Sequence, residues 1–418
     1  MEKSKFNNPF FEKLREKDQQ FLINMTETYN LSYSQILILS DQGCDIKLWQ
    51  EKPLSSFWPK EIENTKLDGK KLTKALVNKT LENINKLRKE PTDYSDFKKP
   101  EIKNPKSFSI LHLDSDTKIF GRCPCPPENN PLRCCNLTTL DAVQQCSFGC
   151  SYCSIQSFYS KNEIRFVDNL EQKLLSLELD EKVWHLGTGQ SSDSLLYSNT
   201  ENVLTALEKF AKKNPNKVIE LKTKSNRTDW LKTVNFPRNV IVTWSLNAPT
   251  IIKNEELLTA NLEQRLMAAR KTADSGLLVG FHFHPMVWFK GWKEEYKKAV
   301  DKVLELFTPE EVIVISMGTL TFPKAVIKRL RNNSQSSRVL QMDFTPIAGK
   351  YSYPLSTKEE MFTFLYSCFP EDWKKKVFFY ICMEDPSLWK KCLNYEYNNN
   401  DEFEQDMKNS YLTKINNS

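Results

Sequence analysis

The segment QQCSFGCSYCSIQSFY holds Cys146, Cys150 and Cys153, with three residues between the first pair and two between the second. Three thiolates in so short a loop can each hold one iron of a cubane, leaving the fourth iron without a protein ligand. A ferredoxin cluster takes four thiolates, so a triple implies an open position for an exogenous ligand, the logic of a catalytic metal site. Zinc bound by the same three with Cys134 or Cys135 is the alternative, and inert buried cysteines are a weaker one. The chain has eleven cysteines, an odd number, and seven of them fall between Cys123 and Cys153. In a long chain without a secretory pattern, such clustering favours metal or redox chemistry over disulfides.

The elements that must position this loop are read from Asn136 onward. Short apolar runs (NLTTLDAV, KVWHLGTG, KVIELKTK, NVIVTWSLN, LLVGFHFHP and EVIVISMGT) alternate with helical patterns near 168–179, 200–213, 227–234, 261–275, 293–307 and 322–332. Strands alternating with helices imply βαβ units and a parallel sheet, and six units predict an α/β fold, a partial (β/α)6 TIM-type barrel. In such barrels chemistry gathers at the C-terminal strand ends. The cysteine triple follows the first strand, GTGQSSDS the second, Lys222 and Lys224 end the third, Ser245 and Asn247 the fourth, and His282 and His284 the fifth. The two histidines are two apart and share one strand face, which suits polar lining of a cavity better than a metal pair without a carboxylate. We divide the chain into an N-terminal extension with a cysteine-containing, Pro-rich connector (1–135), the barrel (136–335) and a small C-terminal segment (336–418).

Composition bounds the rest. Charged residues make up 27% and hydrophobic ones 39%, which is globular rather than disordered. No apolar run is long enough to span a membrane, and the charged N-terminus lacks a signal-peptide core, so a cytoplasmic protein without membrane contact is expected. The net charge of +6 and pI near 8.6 permit nucleic-acid contact but stop short of the pI above about 9 that marks a basic domain.

The triple and the barrel resemble the radical S-adenosylmethionine (SAM) superfamily, and in detail the spore photoproduct lyase family. IRFVDNLEQKL, KVIELKTKSN, TWSLNAPTIIKNEE, TANLEQRLMAARKTADSGLLVGFHFHPM and GWKEEY match that family in order, as do EVIVISMGTL and FYICMED. The resemblance spans roughly residues 105–392. It implies a [4Fe–4S] cluster on Cys146, Cys150 and Cys153, whose open iron chelates the amino and carboxylate groups of SAM. Reductive cleavage then releases a 5′-deoxyadenosyl radical, with electrons from a donor such as a flavodoxin or ferredoxin. It also implies that Gly187, Thr188 and Gly189 form the turn beside the methionine amino group, where glycine lets backbone approach a ligand. Ser192, Lys224, Ser245 and Asn247 match SAM-contact positions, and Tyr152 matches a tyrosine that shields the cluster or relays a hydrogen atom. Glu263 and Arg265 match a helix start and are read as structural.

The match departs from the family at two places. Gln190 stands where the family has the cysteine that quenches the product radical, and Ser154 stands where it has a second tyrosine. Either another hydrogen donor serves, with Cys123, Cys125, Cys134 and Cys135 as candidates, or the reaction is different; these four also suit zinc or an auxiliary cluster. The function expected is a radical SAM enzyme, lyase-like, repairing or modifying nucleic acid such as DNA, with KSNRTDWLK, VWFKGWKEEYKK and FPKAVIKRLRNN available for phosphate and stacking contacts. A radical SAM enzyme on a peptide or small molecule is one alternative, and a non-catalytic zinc-containing nucleic-acid-binding protein is another.

Overall fold

The computed structural model describes residues 3–63, 67–100, 107–114, 116–123, 132–155, 159, 162–332 and 335–417. Cys125 lies outside them. They divide into two compact units, residues 1–101 with 323–344, and residues 102–322 with 345–418.

The larger unit is built on seven parallel strands: β1 (Thr138–Leu140), β2 (His185–Thr188), β3 (Val218–Thr223), β4 (Val240–Ser245), β5 (Val279–Met286), β6 (Val312–Thr319) and β7 (Phe378–Ile381). They lie side by side in chain order, and Phe120–Arg122 pairs antiparallel with β1 at one edge. The sheet curls into a partial barrel, the fold expected. Every residue of β4 and β6 is buried, as parallel strands covered on both faces require. Helices between the strands supply the outer layer. Val203–Lys213 turns Val203, Leu204, Leu207 and Phe210 inward, and Trp292–Leu306 does the same with Trp292, Tyr296, Ala299, Val300 and Val303. These spacings of three and four residues place one stripe against the sheet. Leu262–Asp274 opens on a reciprocal capping box between Asn261 and Gln264.

Two elements differ from expectation. The helix anticipated at 227–234 is a single 3-10 turn, Asp229–Lys232, because Arg227 and Ser198 bind the Asp229 carboxylate locally and Pro237 follows. The sheet also continues past six strands to β7.

Two segments pack against the β7 edge of the barrel. Asn400–Asn417 buries Phe403, Met407, Tyr411 and Ile415, stacks Phe403 on Phe378 of β7, and accepts the Trp184 indole N–H on Glu404 at 2.9 Å. Residues 132–137 run beside it, with the Arg133 amide donating to the Glu384 carbonyl (3.2 Å) and Asn136 to Glu404 (2.9 Å).

The smaller unit packs helices Glu16–Tyr29, Tyr33–Leu48 and Gly69–Lys89 with helix Lys324–Arg331. Asp45 receives both Arg88 (2.9 Å) and Arg331 (2.6 Å) there. No helix among the described residues is long and apolar enough to cross a membrane.

Candidate active site

The cysteine loop leaves β1 and is pinned on both sides. Its entrance is held by Gln145, whose amide donates to the Ser191 carbonyl (2.8 Å) and whose own carbonyl accepts from the Ser192 hydroxyl (2.7 Å). Further on, Gly149–Cys150 forms a short antiparallel bridge with Glu256–Leu257. A Cβ at Gly149 would stand 3.3 Å from the Leu257 side chain, so the tight bridge favours glycine. The Ser151 amide donates to the Glu255 carbonyl at 2.8 Å, and a turn from the Cys153 amide to the Cys150 carbonyl (3.1 Å) closes the loop.

Cys146, Cys150 and Cys153 line one cavity of about 180 Å³ at the C-terminal strand ends. Gly189, Gln190 and Ser192 after β2, Lys224 after β3, Ser245 of β4, and Tyr152 line the same space. Of the other positions singled out from the sequence, Gly187, Thr188 and Asn247 are not among its lining. A Cβ on Gly187 would meet the Leu137 side chain at 2.7 Å, so this glycine serves strand packing. Thr188 bonds Ser194 (2.6 Å) and the Glu220 carbonyl (3.2 Å). Gly189 needs to be glycine: its φ is +87°, and a Cβ would stand 2.7 Å from the Lys222 carbonyl. Asn247 is fully buried, donating to Glu256 (3.1 Å) and the Pro285 carbonyl (3.0 Å) and accepting from the Tyr296 hydroxyl (2.7 Å).

The hub behind the cavity is Glu256, a residue the sequence reading did not single out. Its carboxylate accepts from Tyr152 Oη, from Lys224 Nζ (2.9 Å) and from Arg265 Nη2 (2.5 Å). Burial alone would raise its pKa, but Arg265 and Lys224 beside it hold the carboxyl well below the usual range. Arg265 is fixed in turn by the carbonyls of Ala260 (2.9 Å) and Ser245 (2.8 Å), which makes it a buried clasp, whereas Glu263 pairs with Lys302 at the surface. Lys224 also reaches Tyr152 Oη at 2.9 Å and sits over its ring. Tyr152 is thus a neutral phenol, its pKa pushed well up by burial and by Glu256.

The two histidines lie side by side, ring centroids 5.4 Å apart, and both contact the Ser316 hydroxyl. His282 Nε2 faces Glu220 at 2.6 Å and its Nδ1 faces Ser316, inside the barrel. His284 lines the cavity, its pKa held well below the ordinary value by burial and by Lys222, so it is neutral. Cys123, Cys134 and Cys135 line a separate groove of about 720 Å³ near the N-terminal ends of β1 and β2.

The donor set suits an iron–sulfur cluster. All three thiols are unbridged and face one cavity. Burial pushes the Cys150 thiol up and Lys224 only partly offsets this, so metal binding would release the proton. Among the described residues no three His, Cys, Asp or Glu side chains converge on a single ion. A cubane, in which each thiolate takes its own iron, does not require that.

The model of the family described as spore photoproduct lyase matches residues 139–357. Spore photoproduct lyase of Clostridium acetobutylicum is 24% identical over 234 residues, covering 53% of this chain and 70% of that protein. The Bacillus subtilis enzyme is 29% identical over 174 residues, covering 40% of this chain and half of its own. Among solved structures, spore photoproduct lyase complexed with dinucleoside spore photoproduct superposes with a TM-score of 0.53 at 18% identity, over 67% of this chain and 88% of that one. A mutant with bound AdoMet and the same dinucleoside gives 0.51 at 20% identity, over 57% and 75%. Since the family match takes in the strands from β1 to β6 and every residue of the cysteine triple, the chain belongs to the spore photoproduct lyase family of radical SAM enzymes.

Proposed function

We propose that Cys146, Cys150 and Cys153 hold a [4Fe–4S] cluster, that SAM binds in the adjoining cavity, and that the chemistry is directed at nucleic acid, with a spore-photoproduct-type thymine lesion as the first substrate to test. The observation that carries this is the single cavity faced by all three thiols together with Gly189, Ser192, Lys224 and Ser245. When bound, the cluster supplies the electron that cleaves the SAM sulfonium to a 5′-deoxyadenosyl radical. The chain's own residues do the positioning. Gly189 lets backbone approach the ligand, Ser192 and Ser245 offer hydroxyls, and Lys224 offers a cation held in place by Glu256. Tyr152, clamped by the same carboxylate, covers the loop and keeps water from it. Dinucleoside spore photoproduct bound to structural relatives supports the substrate class. An electron donor of the flavodoxin or ferredoxin type completes the proposal.

Anaerobic reconstitution tests it. About four irons per chain and 5′-deoxyadenosine under reductant are expected, with lesion-bearing DNA bound less tightly as salt rises. SAM cleavage indifferent to nucleic acid would assign the radical to another substrate class. Stoichiometric zinc without SAM cleavage would end the reading.

A further inference from the structure

A second cavity, of about 250 Å³, adjoins the first and shares Tyr152 and His284 with it. Its lining includes Cys382, the residue after β7. The turn that presents this thiol is locked. The Cys382 amide donates to the Met317 carbonyl at 2.8 Å, carrying the strand pairing one residue beyond β7. Met383 follows in the left-handed region at φ +56°, strained for a residue with a side chain. The next residue, Glu384, anchors that strain, accepting from the Thr319 hydroxyl (2.9 Å) and pairing with Lys358, with both charged side chains almost fully buried. Cys123, Cys134 and Cys135 line neither of these two cavities, and Gln190, which lines the first, carries no transferable hydrogen of comparable weakness.

We propose that Cys382 is the thiol that gives a hydrogen atom to the substrate radical, an inference that rests on the function proposed above. Burial, with Cys123 next, pushes this thiol's pKa well up, so it carries its hydrogen at neutral pH. The transfer is neutral: the S–H bond breaks homolytically, a C–H bond forms on the substrate carbon, and the unpaired electron remains on sulfur. A small-molecule thiol then returns a hydrogen atom to Cys382, and two of the resulting sulfur radicals couple as a disulfide.

The test is turnover of dinucleoside spore photoproduct in D2O by the reconstituted chain, with SAM, dithionite and dithiothreitol, and mass analysis of the thymine product. Thiol hydrogens exchange with solvent, so the wild-type product should carry deuterium. Cys382→Ala and the near-isosteric Cys382→Ser should lose that label and release more 5′-deoxyadenosine per lesion consumed; iron content and melting temperature report that they fold. Product from both variants labelled as in wild type would overturn the proposal. A wild-type chain that forms no 5′-deoxyadenosine, or leaves the lesion intact, overturns instead the function it stands on, and the inference with it.

Discussion

Glu256 shows how one side chain can order a site without facing its ligand. It lies between Arg265 and Lys224, and the Arg265 and Glu256 side chains are both 0% exposed. Taking one partner from a buried ion pair leaves the other charge uncompensated, which costs about 3–5 kcal/mol. Glu256→Gln should therefore lose stability of that order in urea unfolding. Adding Arg265→Met should restore part of the loss, because the orphaned guanidinium is then gone. A Glu256→Gln chain as stable as wild type would mean the carboxylate is not the counter-charge described. This hub was not legible in the sequence, whereas the cysteine triple was. Thiol spacing is local and has few other uses, but KNEELL reads as ordinary solvated helix, and the partners of Glu256 lie 9 to 104 residues away.

At the scale of elements, the barrel interior is stitched by one polar network. Glu220 on β3 faces His282 on β5 at 2.6 Å and His185 on β2 at 2.9 Å, and it accepts the Thr243 hydroxyl of β4 at 2.7 Å. His282 in turn meets Ser316 of β6. Burial, with Lys222 nearby, lowers the His282 pKa to about 4. The unfolded chain protonates this histidine near pH 6.5, so its contribution is fully present above that pH and declines as pH falls towards 4, by up to about 3 kcal/mol. Burial would raise the Glu220 carboxyl, but His282 and His185 hold it well below its ordinary value, so its contribution is lost in stronger acid. Urea midpoints should fall from pH 7 to pH 5, and the slope should be shallower in His282→Gln; a flat profile in wild type would refute the assignment. The strands carrying this network were legible because doubly covered parallel strands read as apolar runs. β7 was not, since FFYI is four residues long, mostly aromatic, and follows a lysine-rich helix that gives no turn signal.

On the scale of the whole molecule, the smaller unit is held together across most of the chain's length. Arg338 is 2% exposed. Its guanidinium donates to the Trp49 carbonyl at 2.6 Å and to the Asp93 carbonyl, and it pairs with Asp96 at 3.0 Å. The Ser337 amide donates to the Leu48 carbonyl (3.0 Å), the Thr92 hydroxyl to the Gln341 carbonyl (3.0 Å), and Arg331 to Asp41 (2.6 Å). Nothing in the local pattern around 323–344 announces these partners, because each lies more than two hundred residues upstream. Removing residues 1–101 takes away every one of them at once, and a segment without buried contacts opens locally at little free-energy cost. Trypsin should then cut the truncated chain first after Arg331 and Arg338, while the intact chain resists at Arg338, whose backbone and side chain are enclosed. The ion pairs alone would be a weak reason for that resistance; the buried guanidinium and its carbonyl acceptors are the stronger one. Equal resistance at Arg338 in both chains would show that the segment holds its conformation without the N-terminal helices.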